Sequence, residues 1–362
     1  MAATTAVIYQ PAEIETIEKI TADINKFKGN QIAIYEKIIT QYPLPNQCTK
    51  INQQIRLHTW YLLDSVIVDL TKIINFAINE FTTIYAEATT VSAAITDQEI
   101  HIGNDKTINR KKLSIEAVTT NIYILPLDFK KELTQQDYNR LLSPNSEALV
   151  DSGLINSGLC TNTDIYNRNI FIYRSCEMGF VLLHELIHNY NIEYLFMDNR
   201  GYAEINSYLT KTFQIEHPLS TESGTDALAH VLWLKYLYKH VYLGKLDLFQ
   251  TELEKINDMT ERRAINMISL FIEISKSRHA TDLPNIIIKE STGAFEYFVV
   301  KLSLLRYIGY GKKYLFEDKP MPLNIIIGHL LPKLQCDISQ MIIEASKSKF
   351  PLLPLSLNRS LI

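Results

Sequence analysis

Residues 180–190 read FVLLHELIHNY, and no other stretch limits the fold as much. Phe180, Val181, Leu182, Leu183, Leu186 and Ile187 would bury a helix here and leave His184, Glu185 and His188 as its polar stripe. Polar groups taken out of water cost free energy unless they are partnered. The fold therefore has to bring something to meet that stripe. Residues four apart share a helix face, so the two imidazoles stand side by side, with Glu185 on the adjoining face.

A metal ion satisfies this arrangement. Two imidazole nitrogens can reach one zinc ion at roughly 2.0–2.1 Å, and a glutamate beside them can take a proton from zinc-bound water, whose pKa falls towards about 7. With 9 His and 40 Asp plus Glu among 362 residues, chance supplies about 0.02 matches to H-[DE]-x-x-H in such a chain. The competing reading is a solvated helix face with two spare histidines, and the apolar flanks argue against it.

The stretch NRNIFIYRS (167–175) reads as a strand ending nine residues before His184. A strand followed by an HExxH helix resembles the zincin metallopeptidases. Thermolysin-like enzymes and the clostridial neurotoxin light chains belong to that group, and the latter also carry HELIH. The resemblance covers residues 120–245, and the five-residue motif is its most specific part. It implies a zincin-like core with a small sheet preceding the helix and a strand that can pair with extended substrate. It also implies one zinc per chain and hydrolysis of a peptide or protein substrate with Glu185 as general base.

Within this group the third ligand divides the branches. Metzincins continue with HxxGxxH, but His188 is followed by NYNIEYLF, which excludes them. Gluzincins take a glutamate from a later helix. Glu222 is the stronger candidate: with Asp226 and His230 it forms one stripe of the otherwise apolar STESGTDALAHVLWLKYLYKH. This is similar to the thermolysin-like pattern, in which Asp226 would accept the free N–H of a zinc-bound histidine, His184 first. The alternative for that segment is a plain capping box, Ser223 to Asp226, with Glu222 just outside the helix. Glu204, in GYAEINSYLTKTF, is the rival ligand at shorter spacing, and a ligand outside both remains open. Candidate oxyanion donors are Arg306, Tyr307 and Tyr310 in LLRYIGYGKKY, and His279.

The rest of the chain sets bounds. Its net charge of −4, without a long Lys/Arg cluster, advertises no nucleic-acid partner. Four cysteines far apart, with no CxxC pair, argue against a disulfide framework or a cysteine-rich zinc site. No basic-then-apolar leader and no membrane-length apolar run is visible, so cytoplasmic residence and no membrane partner are expected. Helical spacing over residues 11–41, 53–88, 177–196, 202–215, 223–243, 246–276, 294–309 and 334–348, with β-prone runs between 91 and 175, predicts a helix-rich α+β fold. The expected division is an N-terminal helical region, 1–110, offering a surface for a protein partner, and a metallopeptidase domain, 111–362, with a helical C-terminal part. The alternative to an enzyme is a structural or interaction protein, a component of a larger assembly, with a structural metal or none.

Overall fold

The computed structural model describes residues 44–91, 99–102, 106–109, 118–127, 158–162, 167–215, 217–277, 295–316 and 327–347, with a few isolated positions besides. By internal contacts the chain forms two compact units. One comprises Met1–Lys130 with Asn156–Tyr190, the other Lys131–Ile155 with Asn191–Ile362. The division by contacts falls immediately after the HELIH helix.

The first unit is built on a five-stranded sheet ordered β1-β2-β5-β7-β6. Its strands are β1 (Gln47–Lys50), β2 (Ile55–Thr59), β5 (Thr119–Leu127), β6 (Gly158–Asn162) and β7 (Asn167–Arg174). β2, β5 and β7 run parallel, and β1 and β6 lie antiparallel at the two ends. A separate hairpin pairs β3 (Glu99–Ile102) with β4 (Lys106–Asn109). Within the 1–110 region, residues 47–50 and 55–59 contribute two strands to the same sheet as β5 and β7. The helix expected from residue 53 starts only at Asp64, because residues 47–59 form a hairpin. Asn52 fixes its turn, accepting the backbone N–H groups of Gln54 and Ile55 at 2.8 Å each. Most of residues 11–41 lie outside the described set, as does most of the segment between β5 and β6.

Cross-strand partners share a face, so the register sorts the sheet. Thr59, Ile124, Ile172 and Gly158 form one row; His58, Tyr123, Phe171 and Leu159 form the next, on the opposite face. Tyr123 and Phe171 of the second row belong to an apolar cluster with Ile17, Trp60, Leu125, Leu127 and Tyr173, with Leu159 packed against it and His58 stacked on Tyr123. The first row faces the HELIH helix, α2 (Met178–Tyr190), which packs on β6 and β7 and against α1 (Asp64–Val91). Both faces being covered, β5 and β7 read as nearly continuous apolar runs. From α1, Tyr85 donates to the Tyr190 carbonyl, satisfying the C-terminal end of α2. Asn189 donates to Thr120 on β5 at 2.9 Å. Asn191 then takes a left-handed conformation at φ 53 and ends the helix earlier than its apolar spacing suggests.

The second unit is helical: α3 (Glu193–Phe196), α4 (Asn199–Phe213), α5 (Ser220–Tyr236), α6 (Leu246–Ser277), α7 (Lys301–Tyr307), α8 (Lys312–Phe316) and α9 (Ile327–Lys347). Five-residue π turns follow α5 (Leu237–Val241) and precede α7 (Glu296–Val300). Helix α5 is the centre of this unit, with fourteen of its seventeen residues buried. The sequence-level expectation of a helix-rich α+β chain with a small sheet ahead of HELIH describes the two units. Among the described residues, no helix is long and apolar enough to cross a membrane.

Candidate metal centre

In α2, His184 and Glu185 are buried, at 2% and 5% exposure, and His188 is half-buried. The two imidazoles lie 4.8 Å apart between ring centres, at 76° to one another. Edge strand β6 comes close because residue 158 is glycine. A Cβ there would stand 2.9 Å from Val181 Cγ1 and 3.0 Å from Glu185 Oε1. Only hydrogen fits that gap, so the β6 main chain passes directly over the Glu185 carboxylate. Among the described strands β6 lies at one edge of the sheet, while residues 167–174 form the interior strand β7, paired on both sides.

Glu222 is the third residue of α5, half-buried, and its Oε2 accepts a hydrogen bond from the Tyr297 phenol at 2.7 Å. Beside it a Cβ at Gly224 would run into the buried phenol of Tyr202, which donates to the Glu193 carbonyl at 3.0 Å. Burial, followed by the charges of Glu193, the Tyr194 phenol and Glu222, raises the Tyr202 pKa well above 10. One ligand atom each from His184, His188 and Glu222 lie within 4.8 Å of one another. Ligand atoms of a tetrahedral zinc site stand about 3.3 Å apart, so the three side chains would have to close in for one ion to take all of them. The donor set fits as well: two imidazoles and one carboxylate are a catalytic zinc set, which keeps a fourth position for water. The group could hold a metal ion.

Glu204 is placed otherwise. It lies on the outer face of α4 and pairs with Arg200 at 3.1 Å, with side chains 38% and 83% exposed. The capping-box reading of 223–226 does not describe this helix start. Helix α5 opens at Ser220, so Glu222 is inside it, and the Ser223 hydroxyl donates to the Ser220 carbonyl at 2.6 Å. The leading N–H groups are taken by other side chains. Glu296 accepts from Leu219 N at 2.8 Å, and Asn206 accepts from Ser220 N at 3.1 Å.

Asp226 has a partner that sequence reasoning did not include. Lys301 reaches its Oδ2 at 2.9 Å, with the two side chains 5% and 1% exposed. One turn on, His230 is fully buried, and among the described residues neither ring nitrogen has a hydrogen-bond partner. Burial, and then the Lys301 charge, push its pKa well below 6.5, against a smaller opposing effect of Asp226. A base with a depressed folded pKa refuses a proton that the unfolded chain accepts. Stability therefore falls as pH drops below about 6.5, by up to about 1.4 kcal/mol per pH unit from this group alone. Urea midpoints of native and His230→Leu chains between pH 7.5 and 5 check this, the variant being expected to show the flatter dependence.

Of the oxyanion candidates, Tyr310 donates to Glu261 at 2.8 Å, and Arg306 pairs with the same carboxylate at 3.4 Å. Burial and then Glu261 raise the Tyr310 pKa. Lys333 stands over the Tyr307 ring at 5.5 Å. His279 lies outside the described residues. Tyr297, Lys301 and Gly158 were not singled out from sequence, and no local signal marks them. Comparison with protein-family models, curated proteins and solved structures gave no match.

Proposed function

We propose that this chain is a zinc-dependent peptidase of the gluzincin type. The observation that carries the reading is the donor group of His184, His188 and Glu222, with Glu185 on the same helix as the histidines and outside the group. A zinc ion bound there supplies a Lewis acid that polarises a peptide carbonyl and acidifies a water molecule. His184 and His188 contribute neutral nitrogens and Glu222 a carboxylate oxygen. Glu185 accepts the proton of the attacking water on its carboxylate and returns it to the departing amine nitrogen. Strand β6, at the sheet edge among the described strands and close over Glu185 through Gly158, offers its main chain for an extended substrate to pair with.

The first test is metal content. Purified native chain is expected to carry one zinc, lost in the His184→Ala/His188→Ala double variant, as measured by atomic emission. Native protein that takes up no zinc, with stability unaffected by removing both histidines, would sink this reading and favour an interaction protein instead.

A further inference from the structure

One segment meets the ligand helix at three successive polar contacts. Along α5, Leu219, Glu222 and Asp226 meet Glu296, Tyr297 and Lys301, in the same order along both segments. The contacts are Leu219 N to Glu296 Oε1 at 2.8 Å, the Tyr297 phenol to Glu222 Oε2 at 2.7 Å, and Lys301 Nζ to Asp226 Oδ2 at 2.9 Å. That segment begins with the π turn Glu296–Val300 and continues as α7. Such turns often mark places where a helix has been adjusted to present side chains. All three of its contributing residues are buried.

Two of these contacts have ordinary structural reasons. The Glu296 carboxylate satisfies an N–H at a helix start, and Lys301 neutralises a buried acid. The third gives the buried Tyr297 phenol a partner, and it has a second consequence for the half-buried carboxylate, which water could solvate in any orientation. What the contact fixes is the orientation of Glu222.

We propose that Tyr297 is a positioning residue for the metal centre. By donating to Oε2, it fixes the Glu222 carboxylate and leaves the other oxygen for the metal, as a single-oxygen ligand. The inference rests on the zinc reading above. A glutamate has three rotatable bonds, and binding a metal with it unrestrained would require freezing them at that moment. The Tyr297 hydrogen bond freezes them beforehand. Supporting hydrogen bonds of this kind are typically worth about 10–100-fold in metal affinity.

A double-variant cycle on the full chain, read by zinc affinity in chelator competition, tests it. Tyr297→Phe is expected to weaken zinc by about 10–100-fold, with the unfolding midpoint of the metal-free protein unchanged. In a Glu222→Ala background the same substitution is expected to change nothing, because the phenol acts through that carboxylate. Glu222→Asp, which keeps the charge but draws it one methylene back from the phenol, probes the contact from the other side and is expected to lose zinc similarly. Equal zinc affinity in native and Tyr297→Phe chains overturns the proposal and leaves the metal reading standing. The same loss in both backgrounds also overturns it, by assigning Tyr297 to the fold. A native chain without zinc affinity overturns the metal reading, and this proposal with it.

Discussion

Glu185→Gln is expected to retain zinc and to lose about 10²- to 10⁴-fold of peptide-bond cleavage, the usual contribution of a positioned general base. The substitution preserves shape. At 5% exposure and close against the glycine of β6, the site has little room for a larger change. The amide keeps a hydrogen-bond acceptor but cannot take a proton from water or pass one to an amine. Glu185 is not among the three residues whose ligand atoms cluster, so the metal content should stay at one per chain. A broad peptide library, assayed alongside metal analysis, separates the possibilities. Cleavage at the native rate would remove Glu185 from the reaction. Loss of zinc together with activity would instead mean that Glu185 helps to build the donor group.

What the sequence made legible follows from the range of the interactions involved. His184 and His188 are related by one helical turn, so their pairing is encoded locally and survives any choice of tertiary fold. Glu222 stood out because an acid at the head of an apolar helix needs a reason, and its half-buried place in α5 is consistent with that signal. The β1–β2 hairpin was hidden by the opposite circumstance. QCTKINQQIRLHT is short and mixed in polarity, and it abuts the helix α1, so helical spacing ran on into it. Contacts set by the fold left no trace at all. Glu222 meets Tyr297, and Asp226 meets Lys301, each across 75 positions, and a sequence holding 20 Tyr gives no means of choosing Tyr297 among them. Arg306 and Tyr310 were plausible as oxyanion donors by residue type, yet both engage Glu261 on α6. Gly158 is equally silent, because its meaning lies in what a Cβ would strike on another element.

The Asp226–Lys301 pair changes what a substitution at Asp226 can report. Read from sequence, Asp226→Asn should weaken zinc and leave the fold largely intact. With the lysine ammonium 2.9 Å away and both side chains nearly dry, removing either charge leaves the other in a poorly solvated place. Lys301→Met is expected to destabilise the protein by about 3–5 kcal/mol, the range for breaking a buried ion pair from one side. The cost arises from desolvated charge, not from lost packing, since methionine nearly preserves the volume of the lysine stem. That origin has a signature: in the double variant Lys301→Met/Asp226→Leu most of the loss should return, because an apolar pair of similar volume carries no such penalty. Chemical denaturation of the native, single and double variants measures both effects. A Lys301→Met cost below about 1 kcal/mol, the level of an exposed pair, would mean that water reaches the contact. A double variant as unstable as the single would place the energy in shape and not in charge. Zinc affinity measured on the same proteins shows whether α5 holds Glu222 in place without this ion pair. Asp226 lies on the helix that carries Glu222, and its effect on zinc affinity is expected to track its effect on that helix.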